Sequence, residues 1–170
     1  MANSFIPQNA PLGARTDAPC GATEEPGAER LAESLARIGV ALGAQRVELH
    51  RRSSTEVDLV GWWSAQGHLG RPVTVPARQP VEWFPWNLAN IRPEAQLFVR
   101  NAELLPLDAD NLTHVGDLGM RSCVFVPLVV VAGDEAVGGV SAYWATPKLE
   151  VTTRQVEIAA ELGRDALLDL

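Results

Sequence analysis

The chain has two cysteines, one tyrosine and no apolar run long enough to cross a bilayer, and each scarcity removes a class of protein. Cys20 falls in a polar, proline-containing stretch and Cys123 in an apolar one, so they make a poor disulfide pair. A reducing, cytoplasmic setting is the simpler expectation. A membrane span needs ~20 consecutive apolar residues, and none is found. Met1 is not followed by a basic region and an apolar core, so a secretion signal is not expected. Basic clusters are equally scarce: Arg51-Arg52 is the only adjacent pair, and the net charge is -7. A surface of that sign repels phosphate backbones, which argues against nucleic acid as a partner. His50, His68 and His114 lack metal-ligand spacing and no C-x-x-C occurs, so no metal site is expected.

What remains is an ordinary globular composition. The 170 residues are 46% hydrophobic and 21% charged, enough for one domain with a sizeable core. Residues 1–27 carry Pro7, Pro11, Pro19 and Pro26 with a single aromatic, Phe5, and read as a flexible tail. A helix is expected from about Ala28 to Leu42, with Leu31, Leu35, Ile38 and Leu42 spaced 4, 3 and 4 apart and Gly43 at its C-cap. Arg46–Arg52 alternates Val47 and Leu49 with Glu48 and His50, the pattern of a half-exposed strand. Ser53-Ser54-Thr55 turns it into a second strand, Glu56–Ala65.

The chain from Gln66 to Gln79 reads as loop. A short helix is expected after Pro85 and before Pro93, a short strand over Gln96–Arg100, and another short helix over Asp108–Leu118. From Ser122 to Val131 nearly every residue is apolar, so both faces of that strand require cover. Gly133-Asp134-Glu135 is too short for a crossover helix, and Ala136–Trp144 is therefore expected to pair antiparallel. A last helix spans about Thr153–Leu168, with Thr152 and Gln155 forming a capping box.

Several stretches in this order carry a resemblance: Ala41–Glu48, Gly61-Trp62-Trp63, Phe84-Pro85-Trp86, Gly119-Met120-Arg121-Ser122 leading into Val126-Pro127-Leu128, and Gly138-Gly139-Val140. Together they resemble a GAF domain of the bacterial signalling-sensor type over residues 28–170. The resemblance implies an α+β fold with a central antiparallel sheet of five or six strands. Terminal helices would cover one face, and short helices and loops would roof a cavity on the other. It implies a non-catalytic sensor that holds a small molecule under the roof and signals through the packing of its terminal helices. It also implies a homodimer feeding a kinase, cyclase or transcriptional output. The dimer contact is expected from Leu31, Leu35, Ile38 and Leu42 on the first helix and Val156, Ala159, Gly163 and Ala166 on the last. The chain ends at Leu170 without an output module, so it stands alone or is a piece of a longer protein, and its tail from Met1 favours an authentic start.

For the ligand, the expected lining is Trp63, Trp83, Phe84, Trp86 and Phe98, with His114, Arg121, Ser122, Cys123 and Tyr143. Each has a plain structural alternative. The indoles would equally plug the core, and adjacent Trp62 and Trp63 face opposite ways, so at most one sees a cavity. Arg121 would grip an anionic group or pair with Asp117, with Ser122 as a donor. His114 would touch a ligand or simply be solvated. Some GAF relatives are free-methionine sulfoxide reductases, which use several cysteines; with one in the domain, Cys123 reads as a small buried hydrophobe. Bilin attachment calls for a roof-loop cysteine, usually followed by histidine, and no such pair occurs. The Asn-Lys-Phe-Asp-Glu signature of cyclic-nucleotide binders is also missing. No cofactor is specified by these residues; the alternative readings are a ligand-free dimerisation or interaction domain and a Cys123-dependent redox enzyme of the free-methionine sulfoxide reductase type.

Overall fold

The computed structural model describes residues 26–65, 78–80, 96–101, 119–129 and 137–170. Helix α1 (Pro26–Leu42) opens on proline, whose fixed φ suits a first turn. It ends at Gly43, whose φ of 62° is left-handed, a conformation cheap only without a Cβ. The Gly43 carbonyl accepts a hydrogen bond from the Trp144 indole at 2.8 Å, so the helix end is tied to the sheet.

Strands β1 (Arg46–Arg52) and β2 (Glu56–Ser64) form the expected hairpin. At its turn the Glu56 amide donates to the Ser53 hydroxyl at 3.0 Å, and the Ser53 amide donates to the Glu56 carbonyl at 2.8 Å. Strands β3 (Arg78–Pro80), β4 (Leu97–Val99), β5 (Ser122–Leu128) and β6 (Gly138–Trp144) complete a six-stranded sheet, and α2 (Thr153–Leu168) follows. The sheet order is β3-β2-β1-β6-β5-β4, and every pairing is antiparallel. β3 overlaps the end of the stretch from Gln66 to Gln79 expected to be loop. The expected turn at residues 133–135 and the short helices near 85–93 and 108–118 lie outside the described residues, as does the tail before Pro26.

Both helices cover one face of the sheet. The Gln155 side chain makes the expected capping box with Thr152 and also donates to the Ala41 carbonyl at 2.9 Å, joining α2 to the end of α1. Ala159, Gly163 and Ala166 are the buried positions of α2; their small size lets its backbone approach β5 and β6. On α1, a Cβ at Gly39 would fall inside the Trp63 ring, so only glycine fits there.

This packing places much of the expected dimer contact inside the chain's own core. Leu35, Ile38, Leu42, Ala159 and Ala166 belong to the chain's own core with Val47, Leu49, Val124, Val126, Leu128, Val140 and Ala142. Leu31 and Val156 pack against the same core, and Gly163 is buried within it. A 4-3-4 apolar spacing marks a stripe that must be covered, but it carries no information on whether the cover is a partner or the chain's own sheet. Here the sheet supplies it.

Candidate functional site

Side chains of residues directly opposite in antiparallel strands share a face, so the register sorts the sheet into two sides. The row Phe98–Val124–Ala142–Val47–Trp63 faces the helices. On the other side lie two rows, Phe125–Ser141–Glu48–Trp62 and Cys123–Tyr143–Arg46. The even positions of β1 thus put Arg46, Glu48 and His50 on the side away from the helices. All three are buried, Glu48 to 1% exposure, which corrects the half-exposed reading of this strand. β1 lies third in the six-stranded sheet, so both of its edges are paired, and every residue from Arg46 to His50 is buried.

Glu48 is the hub of this polar cluster. Its Oε1 accepts from Arg46 Nε at 2.7 Å, and its Oε2 accepts from the Tyr143 hydroxyl at 3.0 Å. His50 Nε2 lies 3.4 Å from the same Oε2. The Arg46 guanidinium also stacks on Trp62, 4.9 Å from the ring centre. A buried carboxylate is tolerable only with such compensation, because desolvation of an isolated ion is prohibitive. Burial first, then the charges of Glu48 and Cys123, hold the Tyr143 phenol well above its ordinary range, so it remains a neutral donor. The Ser141 hydroxyl acts on Tyr143 in the opposite, lowering sense, yet makes no acceptable hydrogen bond among the described residues.

Cys123 sits beside Tyr143 on this face, and burial pushes its thiol up to about 12. At neutral pH roughly one molecule in 10⁵ carries the thiolate, which is the nucleophilic form. The same displacement predicts a pH dependence of stability. An unfolded thiol titrates near 9.0 and the folded one near 12, so between these values the unfolded chain releases a proton that the folded chain keeps. The thiol's contribution is complete below the lower value and is lost as pH rises through the window, at up to about 1.4 kcal/mol per pH unit. Cys123→Ala is therefore expected to flatten the alkaline fall in urea midpoint between about pH 9 and about pH 11. Identical slopes for the two proteins would place the thiol in contact with solvent.

Of the expected ligand-lining residues, Cys123 and Tyr143 are brought together on the polar face. Trp63 and Phe98 are not: they lie on the helix side, where Phe98 meets Trp144 edge-on at 6.4 Å. Ser122 also belongs to the helix side. Its hydroxyl lies 2.8 Å and 2.9 Å from the Arg100 and Thr146 carbonyls and accepts from the Lys148 amide at 2.6 Å, so it pins backbone and is not a ligand donor. The Arg121 side chain is exposed, and its amide donates to the Trp144 carbonyl. Trp83, Phe84, Trp86 and His114 lie outside the described residues. Sequence reasoning misses Arg46, Glu48, His50 and Ser141: the alternation of Glu48 and His50 with Val47 and Leu49 reads as a half-exposed strand, and nothing local marks Arg46 or Ser141. Among the described residues no cluster of His, Cys, Asp and Glu is arranged to hold a metal. No described helix is long and apolar enough to cross a membrane.

No protein-family model matches the chain, and no curated protein matches it in sequence. Solved structures do match. A domain of a putative two-component sensor histidine kinase from Sinorhizobium meliloti aligns at 19% identity and TM-score 0.57, over 81% of this chain and 86% of that one. The photoproduct state of GAF3 from Slr1393 of Synechocystis aligns at 19% identity and TM-score 0.64, over 84% and 96%. A phycocyanobilin-bound GAF domain of a cyanobacterial phytochrome aligns at 16% identity and TM-score 0.61, over 81% and 79%. At these identities the likeness is one of fold, and the fold is that of a GAF domain.

Proposed function

We propose that this GAF-fold chain is a non-catalytic sensor module that binds a small molecule against the sheet face opposite its helices. The carrying observation is the buried set Arg46, Glu48, His50, Ser141 and Tyr143. An apolar face would give a more stable sheet at lower desolvation cost, so a polar set at this place favours recognition over packing. Likeness to domains of a sensor kinase and of bilin photoreceptors supports a role in signal transduction. The chain's own chemistry favours non-covalent capture, because the Cys123 thiol is protonated and buried.

The signal would pass through α1 and α2, which rest directly on the strands bearing the polar set. A kinase, cyclase or transcription module is the proposed recipient, and the cytoplasm the proposed setting. A homodimer remains part of the reading, but its contact must use outward residues such as Val40 and Leu168, because the apolar seam is already covered. The reading is tested by denaturing purified protein and analysing the released small molecules by mass spectrometry, with visible absorbance recorded beforehand. A stoichiometric compound that protects the native chain against thermal unfolding on re-addition is expected. Protein that carries nothing, and that no extract of its host stabilises, would leave a ligand-free scaffold.

A further inference from the structure

Trp62 and Trp63 are adjacent on β2 and therefore point to opposite faces of the sheet. Trp62 lies on the polar face, where its ring carries the Arg46 guanidinium at 4.9 Å. Trp63 lies on the helix face, and its benzo edge fills the space that a Cβ at Gly39 of α1 would need. The interlock is reciprocal. A Cβ at Gly61, on the same face of β2, would come within 2.9 Å of Leu31 and 3.3 Å of Leu35, so α1 seats its leucines where the strand has no side chain. Just before this seat the β1–β2 register slips: Leu49 faces Gly61 and His50 faces Leu59, leaving Val60 as an extra residue. Such a bulge interrupts the ladder, so a break in the pairing separates Gly61–Ser64 from the half of the strand nearest the hairpin turn.

Resting on the sensor reading above, we infer that the Trp62-Trp63 pair is the element that carries the state of the polar face to α1. The two rings share one peptide unit. Rotation of the strand about its own axis therefore carries them in opposite directions, Trp62 across the polar face and Trp63 along the helix. Close-packed interiors leave no slack for the second movement, so α1 shifts at Gly39 or the ring leaves its notch. A ligand that draws the Arg46 guanidinium off Trp62, or presses it down, is in this way felt on the far side of the sheet. Coupling of this kind is reciprocal: whatever disturbs the notch at Gly39 must disturb the Arg46 stack by the same free energy. α1 rests on β1 and β2, whereas α2 rests on β5 and β6, so the route ends in α1.

The test needs no ligand and uses the full chain, labelled with nitrogen-15, with hydrogen exchange as the readout. Trp62→Leu removes the ring under Arg46 and leaves the helix face untouched. It is expected to speed exchange at Ile38, Gly39 and Leu42 of α1 at least about fivefold more than at Ala159 and Gly163 of α2. Taking the ratio between the helices cancels any general loss of stability. Cys123→Ala, on the same face two strands from Arg46, is expected to leave that ratio at the parent value. In the other direction, Gly39→Ala forces the ring out of its notch and should speed exchange of the Arg46 Nε–H with water by a similar factor. Trp63→Phe, which loosens the same fit, takes its place if that chain fails to fold. Equal acceleration of both helices by Trp62→Leu would overturn the inference. So would a change in the ratio from Cys123→Ala as large as that from Trp62→Leu, or an Arg46 Nε–H unmoved by the variant at the notch. A stoichiometric ligand released from a chain whose helices respond alike would sink the coupling and leave the sensor reading standing. A selective response of α1 in a chain that carries nothing would do the reverse.

Discussion

Replacing Leu35 and Ile38 together with glutamate is expected to unfold the chain, not to split a dimer into folded monomers. Both side chains are at or below 1% exposure within a single copy, packed between α1 and the sheet. Truncating one such residue to alanine typically costs about 2–5 kcal/mol, and an unpaired buried carboxylate adds to that. Two sites together, with two buried carboxylates, match the roughly 5–15 kcal/mol that holds an ordinary domain folded. Far-UV circular dichroism and size-exclusion chromatography should show loss of helix signal and an expanded or aggregated species. Val40→Glu is the control on the same helix: at 77% exposure it should change stability by less than about 0.5 kcal/mol. A well-folded monomer from the double variant would mean that the seam faces a partner after all.

The contrast between Ile38 and Val40 shows what the sequence carries and what it omits. Periodicity identifies the stripe Leu31, Leu35, Ile38 and Leu42, alternation identifies β1 and β2, and the short turn before it identifies β6, because these patterns reflect local geometry. The capping box at Thr152 and the C-cap at Gly43 were legible for the same reason: each is a short-range contact between residues at fixed spacing. What occupies the other side of a stripe is a tertiary property. Hence spacing alone does not say that the sheet covers Leu35 and Ile38, nor that Glu48 and His50 are buried.

The site suffered most from this. Trp63 and Phe98 attracted attention as large aromatics, yet register places them in one row with Val47, Ala142 and Val124 on the helix side. Ser122 drew attention for its hydroxyl, which is spent on backbone of the β4 and β6 ends. One signal was available. Arg46, Glu48 and His50 occupy alternate positions of a strand whose neighbour β6 alternates Ser141 and Tyr143 with Val140, Ala142 and Trp144. Two adjacent strands with matching polar alternation define a polar face. Its burial is a tertiary property, and even the pairing that joins the two strands spans about ninety residues of intervening chain.

Glu48→Ala is expected to be the most damaging single substitution on the polar face. It leaves the Arg46 guanidinium buried without its counter-ion and the Tyr143 hydroxyl without its acceptor. Breaking a buried pair from one side costs about 3–5 kcal/mol, because the remaining charge is still desolvated. Arg46→Met alone should cost a similar amount for the mirrored reason. The double variant, Arg46→Met with Glu48→Leu, removes both charges and fills the space with apolar side chains. It should recover most of the loss and match or exceed the parent in urea midpoint. With Glu48→Leu as the second single variant, the urea titrations of the parent, the two single variants and the double variant form a cycle whose coupling energy measures the pair directly. A Glu48→Ala cost below about 1 kcal/mol would mean that water reaches the carboxylate and that the face is open. A double variant as stable as the parent has a further consequence: Arg46 and Glu48 would then be dispensable for folding. Retained binding of a compound released from the native protein would remove Arg46 from the recognition site, and its loss would assign the pair to the ligand.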